Sequence, residues 1–253
     1  MLQEERLENI FEYIKRKKFV TVEELARKME VSPMTIRRDL NTLCDQGRAE
    51  RCHGGAQLPQ IPLSKMEFPL KQDRNRTDKQ RIAQRALDFI REQDTVYLGS
   101  GTTTFELARL LCGYDMPVAV VTNDLNIAGI LSDSDVDVTI VGGNIQRKTR
   151  SILGHAGEQF LKQYRFSKAF LGASSVGEQF DLFSSAYDKA YLDRLILELA
   201  NQSYLLVDSG KFYRQSMCLI ENISRFSAVI TDKKFDQREK ERIDDLNIHM
   251  ISI

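Results

Sequence analysis

The chain has 253 residues, 42% of them hydrophobic, with 36 Lys/Arg set against 36 Asp/Glu; that length allows two domains with sizeable cores. Zero formal net charge excludes binding to polyanions through bulk charge, so a nucleic-acid site has to come from local arrangement. Scattered cysteines without a CxxC pair argue against a disulfide framework and for free thiols in a reducing cytoplasm.

The N-terminal MLQEERLENIFEYIK is too acidic and too interrupted for a signal peptide, and no apolar run approaches the ~18 residues of a membrane helix. Within it, Leu7, Ile10, Phe11 and Ile14 follow the i, i+3, i+4, i+7 spacing of an amphipathic helix. Thr21 followed by Glu24 predicts a capping box, opening a second helix with Val22, Leu25, Ala26 and Met29 on one face. After a short Glu30-Val31 turn, Ser32 is the expected N-cap of a third helix, with Pro33 at its first position and Gly47 at its end. With Ile36 at 0° and about 100° per residue, Leu40 and Leu43 form the core stripe. Met34, Arg38, Asn41 and Asp45 fall opposite, and Thr35 and Arg37 flank.

A helix, a short turn and a second helix with small polar and Arg residues near its start form a helix-turn-helix reader. Arg can fork onto guanine, Asn and Thr can reach adenine or phosphate, and Met can meet a thymine methyl. RAERCHGGA then alternates into Gly54-Gly55, predicting a hairpin that serves as a wing. The candidate DNA contacts are Thr21, Ser32, Met34, Thr35, Arg37, Arg38, Asn41, Arg51, His53 and Gly54. Residues 1–60 hold eleven Lys/Arg and ten Asp/Glu, a net of +1, so phosphate affinity depends on geometry and on two or more copies binding together.

Residues 1–56 are thus expected to form a winged helix-turn-helix domain, the proline-containing stretch 57–70 a linker, and 71–253 a second domain. The segment from Lys71 to Arg85 is basic and leads into a helix carrying Ile82, Ala86, Phe89 and Ile90. Strands are expected at 95–99, 117–122, 136–142, 168–173, 203–208, 227–232 and 248–253. Helices are expected near 103–112, 124–132, 155–164, 185–201 and 235–245. This alternation implies crossover connections and a mostly parallel, Rossmann-like α/β sheet covered on both faces.

Ligands on such sheets bind at the carboxyl ends of the strands. The turns there supply a candidate anion site: Ser100, Gly101, Thr102, Thr103 and Thr104, then Thr122 and Asn123, Gly142 and Gly143, and Asp208 with Lys211. Thr103 to Glu106 predicts another capping box, whose free N–H groups suit a phosphate. Thr104 stands where a dinucleotide fingerprint needs its third glycine, and GxxxxGK[ST] is absent. His53, His155 and His249 do not cluster, so neither cofactor nor metal is expected.

With these residues in view, the chain resembles the DeoR family (deoxyribose-operon repressor type) of bacterial transcription regulators. ELARKMEVSPMTIRRDLNTLCDQGRAERCHGGA is similar to the family's helix-turn-helix signature, and GSGTTT, VTND, VGGN, LVDSGKF and VITD to landmarks of its sensor domain. The resemblance implies a sensor similar to ribose-5-phosphate isomerase, double-stranded operator DNA as partner, and a homo-oligomer, dimer or tetramer. It further implies a cytoplasmic repressor of a carbohydrate operon, released by a phosphorylated sugar effector. Gly99 stands where the family commonly has aspartate, and Asp193 near an expected lysine, with Asp188 at the preceding acidic position; both leave the sugar open. The alternative is a sugar-phosphate isomerase-like enzyme with an accessory helical domain. Its D-G-A-D-like turn corresponds to Gly172-Ala173-Ser174-Ser175, which holds no carboxylate for proton transfer.

Overall fold

In the computed structural model the chain divides into two units, Met1–Pro62 and Leu63–Ile253, and the structure describes residues 3–17, 19–46, 48–52, 54–57, 68–114 and 117–253. The first unit runs α1 (Gln3–Lys17), β1 (Phe19–Thr21), α2 (Val22–Met29), α3 (Pro33–Asp45), β2 (Glu50–Cys52) and β3 (Gly55–Gln57). Ile10, Ile14, Leu25, Ile36, Leu40 and Leu43 are fully buried in its core, which is the apolar stripe of each helix turned inward. The hairpin β2–β3 is extended by β1, giving the antiparallel order β1-β3-β2. Gly55 makes this approach possible, because a Cβ there would lie 1.9 Å from the Val20 carbonyl oxygen.

Both expected N-caps accept a backbone N–H, Thr21 from Glu24 at 3.1 Å and Ser32 from Thr35 at 3.2 Å. The Thr21–Glu24 capping box is only half made, since the Glu24 carboxylate accepts the Tyr13 hydroxyl at 2.7 Å. Glu30 ends α2 in the left-handed region, φ 55°. Gln46 is the C-cap residue of α3; Gly47, expected there, lies outside the described residues. Asp39, unremarkable in the sequence, is buried and accepts Arg6 Nε at 2.6 Å and Arg6 Nη2 at 3.3 Å, joining α3 to α1.

The second unit is built on seven parallel strands, numbered along the chain: β4 (Thr95–Leu98), β5 (Ala119–Thr122), β6 (Asp137–Ile140), β9 (Phe166–Leu171), β12 (Ala200–Leu206), β14 (Ala228–Thr231) and β15 (Met250–Ser252). Their spatial order is β15-β14-β12-β9-β4-β5-β6. All seven expected strands are present, and their side chains alternate between two cores. Val96, Leu98, Val120, Tyr204 and Leu206 face α5 (Arg76–Leu87), α6 (Thr102–Leu111) and α7 (Leu125–Leu131). Tyr97, Val121, Ala169, Leu171 and Leu205 face α8 (His155–Leu161), α9 (Tyr187–Leu199) and α10 (Gln237–Asp245). From β4 the chain runs outward to β5 and β6 and then returns to place β9 on the other side of β4. The loops after β4 and β9 part there, at a topological switch point.

The smaller antiparallel pieces had no counterpart in the sequence reading. They are the hairpin β7 (Asn144–Gln146) with β8 (Ser151–Leu153), and the sheet β10-β11-β13 from Ser175–Val176, Asp181–Ser184 and Cys218–Asn222. Their strands mix polar and apolar residues (NIQ, SIL, SV, DLFS, CLIEN) and lack the apolar runs of the main sheet. A further helix, α4 (Phe68–Asp73), precedes α5, and Gln57 pairs in β3. The expected 57–70 linker is therefore trimmed at both ends, and residues 58–67 lie outside the described residues. Pro69 falls in the first turn of α4, where its missing N–H costs nothing.

The expected Thr103–Glu106 capping box does not form. Helix α6 starts at Thr102 with Gly101 as N-cap and no side-chain cap. Thr104 Oγ1 instead donates to the carbonyls of Gly99 at 2.6 Å and Gly101 at 2.9 Å.

Candidate functional site

On the first unit, α3 presents an outward face. Met34 is 65% exposed, and Arg37, Arg38 and Asn41 are exposed. Thr35 is half-buried, its Oγ1 2.9 Å from Ser32 Oγ, so both hydroxyls are engaged in capping. Arg51, on the wing strand β2, does not extend freely: its Nη2 donates to Asn41 Oδ1 at 2.7 Å and to the Arg37 carbonyl at 2.8 Å. The Gly54 carbonyl accepts Val22 N–H at 3.0 Å, and Gly54 has φ +79°, so with Thr21 it anchors the wing turn to the start of α2. His53 lies outside the described residues. Met34, Arg37 and Arg38 are exposed on α3 with side chains outside these contacts, and Asn41 engages only its amide oxygen in them.

On the second unit, a cavity of about 750 Å³ opens at the carboxyl edge of the sheet. The turn after β4 contributes Ser100, Gly101, Thr102 and Thr103, the turn after β9 contributes Gly172 to Ser174, and the segment after β12 contributes Asp208, Gly210 and Lys211. Six of the sequence candidates meet here. The others do not line it. Thr104 is fully buried on its own turn, and Thr122 Oγ1 donates to the Leu98 carbonyl at 2.7 Å. Asn123 Oδ1 accepts Ser100 N–H and the Tyr97 hydroxyl, each at 3.1 Å, while its Nδ2 donates to Ile152. Thr122 and Asn123 therefore hold the turns in place and do not face a ligand. Gly143 (φ +147°) serves close packing, because a Cβ there would lie 2.8 Å from the Leu153 carbonyl oxygen; a Cβ on Gly142 would meet nothing within 4 Å, but its carbonyl oxygen lies against Gly157, where a Cβ would come within 2.7 Å of it.

Six cations the sequence reading did not single out also line the cavity: Lys71, Arg74, Lys79, Arg147, Lys148 and Lys189. With Lys211 they make seven, against the carboxylates of Asp188 and Asp208 among the described lining residues. The basic character of 71–85 was visible in the sequence, but nothing local says that it folds over this edge. Asn75 Nδ2 donates to Asp208 Oδ1 at 2.7 Å, which ties the α4–α5 segment to the segment after β12, and Lys79 Nζ donates to the Lys71 carbonyl within the segment itself. Asp193 is buried and holds Lys189 Nζ at 2.7 and 2.9 Å. It thus sets a cavity lysine where the resemblance led one to expect a lysine in its own place.

Burial holds the Lys71 ammonium down at about 8, with the nearby charges of Lys211 and Lys189 adding to the effect. Burial likewise lowers Lys79 to about 8 against the opposing pull of Asp208, and lowers Lys211. These are the marks of cations short of counter-charge. Such an edge can hold an anion, with the N–H groups at the start of α6 assisting.

Among the described residues no helix is long and apolar enough to cross a membrane, and no group of three His, Cys, Asp or Glu side chains could hold a metal ion.

Residues 6–61 match the model of the DeoR-like helix-turn-helix domain, and residues 74–233 that of the DeoR C-terminal sensor domain. The chain is 35% identical to the glycerol-3-phosphate regulon repressor of Escherichia coli K12, over 92% of each chain. It is 33% identical to the lactose phosphotransferase system repressor of Streptococcus mutans, over 94% of this chain and 95% of that one. Ribose 5-phosphate isomerase A of Methanocaldococcus jannaschii superposes with a TM-score of 0.42 at 18% identity, over 55% of each chain. Two matched domains in the right order, and relatives of this identity over nearly the whole length, place the chain in the DeoR family of DNA-binding transcriptional regulators.

Proposed function

We propose that the chain represses a carbohydrate operon by binding its operator through α3 and the wing, and that a phosphorylated sugar in the cavity of the second unit releases it. The cavity carries this reading: seven cations face two carboxylates at the switch point of a parallel sheet. The phosphate is assigned to the Ser100–Thr103 turn, with Lys71, Lys189 and Lys211 supplying charge. The relatives named for lactose phosphotransferase and glycerol-3-phosphate systems support a carbohydrate operon without naming the sugar.

Operator contact is assigned to Met34, Arg37, Arg38 and Asn41, which are exposed together on α3. A reader with so little net charge needs a second copy to outcompete non-specific DNA, so the chain acts as a homo-oligomer in the cytoplasm. The isomerase alternative is disfavoured by the Gly172–Ser174 wall, which brings hydroxyl and methyl groups but no carboxylate to the place where a proton-transferring base would stand.

The deciding experiment is genomic footprinting followed by a DNA-release assay with phosphorylated sugars drawn from the pathways of the bound genes. Footprints in front of carbohydrate genes, and release by one such compound, are expected. Footprints lacking a common site, or turnover of the compound by the protein, would overturn the proposal.

A further inference from the structure

The seven cavity cations are not one group. Lys71, Arg74, Lys79, Lys189 and Lys211 come from the α4–α5 segment, the start of α9 and the turn after β12. Burial is the main cause that lowers Lys71 and Lys79, and neighbouring charges add to it, Lys211 and Lys189 at Lys71, and Lys211 and Arg74 at Lys79 against the pull of Asp208. Lys79 is 3% exposed, and Lys71 and Lys211 are half-buried. Arg147 and Lys148 stand apart from this network, exposed on the turn between β7 and β8.

That turn is held in place. Arg150 N–H closes it on the Gln146 carbonyl at 2.8 Å, and the Lys148 carbonyl accepts Phe68 N–H at 3.2 Å. Thr149 Oγ1 lies 2.7 Å from Ser151 Oγ. The two cations therefore sit on a fixed rim of the cavity.

We infer that the cavity takes a sugar bearing two phosphoryl groups, one among Lys71, Lys189 and Lys211 and the other on Arg147 and Lys148. The inference rests on the anion-sensing reading of the same cavity and goes further by specifying its ligand. Charge decides it. One phosphate dianion with Asp188, Asp208 and the Asp193 that pairs Lys189 supplies five negative charges against seven positive ones, and the two cations that stand outside the buried group are Arg147 and Lys148 on the rim. A second phosphoryl group brings the cavity close to neutral. The volume of about 750 Å³ is in the upper part of the ~300–1,000 Å³ range of small-molecule sites, so both ends of such a ligand have room.

The test is calorimetric titration of the full chain at fixed ionic strength with matched pairs: fructose 1-phosphate and fructose 6-phosphate against fructose 1,6-bisphosphate, ribose 5-phosphate against ribose 1,5-bisphosphate, and inorganic phosphate alone. In one pair the bisphosphate is expected to bind at least ~10-fold more tightly than its monophosphates, as an added charge-assisted contact gives. Arg147→Ala/Lys148→Ala should erase that advantage while leaving monophosphate affinity within about twofold, whereas Lys211→Ala should weaken both. Both rim residues are exposed, so the double variant retains the fold, and an unchanged Tm checks this. Monophosphates binding as tightly as bisphosphates in every pair would overturn the inference while leaving the sensor reading intact. So would an advantage that survives in the double variant. Failure of every compound, inorganic phosphate included, would overturn the sensor reading itself and the inference with it.

Discussion

Arg51 of the wing grips Asn41 of α3, its Nη2 and Nε at 2.7 and 3.2 Å from the same Oδ1. This engages the amide oxygen and leaves the amide nitrogen outward. Bidentate reading of adenine by Asn needs both an acceptor and a donor, so the grip biases Asn41 toward acceptor groups on DNA. Arg51, expected from the sequence as a DNA contact, thereby also acts on what α3 can read.

Arg51→Ala is expected to weaken operator binding and to change base preference at the position Asn41 faces. Competition binding over sites with single base-pair changes measures this. Combined with Asn41→Ala, the loss should fall short of the sum of the single variants by roughly 0.5–3 kcal/mol, the range for coupled neighbours. Strictly additive losses would mean that the contact has no role in reading.

Arg38→Ala removes an exposed cation from the middle of the outward face. Its expected cost is about 1–3 kcal/mol of specific binding, with preference relaxed at one half-site position and Tm unchanged. Equal weakening on all sequences, with a smaller salt slope, would reassign Arg38 to a phosphate.

The Arg6–Asp39 pair is a structural element of the reader. With its partner removed by Arg6→Ala, Asp39 is left buried and unpaired, and a loss of about 3 kcal/mol is expected. Denaturant unfolding of the full chain, followed by a probe in the first unit, tests this. An unchanged midpoint would show that water replaces the guanidinium.

Lys71 and Lys79 sit at about 8, below their ordinary 10.5. Between those values the unfolded chain binds more protons than the folded one, so their contribution to stability rises with pH from about 8 to 10.5. Below pH 8 the folded protein bears the full cost of charging them. An anion reverses the balance by favouring the ammonium forms. Affinity for a phosphorylated ligand should therefore fall as pH rises above about 8, with proton uptake visible as a buffer-dependent binding enthalpy. Lys71→Met should remove part of that uptake; uptake unchanged in the variant would exclude Lys71 as its source.

Asp124 is fully buried and caps α7 through Oδ1, while its Oδ2 has no hydrogen-bond partner among the described residues. Burial raises its pKa to about 6 from the ordinary 3.8. The folded state thus holds the proton more tightly, and this group's contribution to stability grows as pH falls from above 6 toward 4. Asn at this position keeps the capping oxygen and removes the charge. Asp124→Asn is expected to equal or exceed the wild type in Tm at pH 8 and to lose this pH dependence. A marked drop in Tm at pH 8 would show that the carboxylate is compensated.

The elements expected from the sequence are those whose cause is local. The stripe of Ile36, Leu40 and Leu43, the caps Thr21 and Ser32, and seven apolar runs separated by helical spacing each depend on neighbours a few residues away. Physical chemistry acts on them before the chain folds back. The turns at the strand ends were equally visible, and they place Ser100 to Thr103 and Lys211 on the cavity. Only the tertiary structure decided which hydroxyls remain free, because Thr104, Thr122 and the Asn123 amide spend their hydrogen bonds on carbonyls and N–H groups that folding brings near. It also decided the counter-charge. Lys71, Lys189 and Lys211 are separated by long stretches of chain, and each reads by itself as an ordinary surface lysine. Strand order and the short antiparallel pieces bring them to one edge, and their common burial there is what turns solvated charges into a site for an anion.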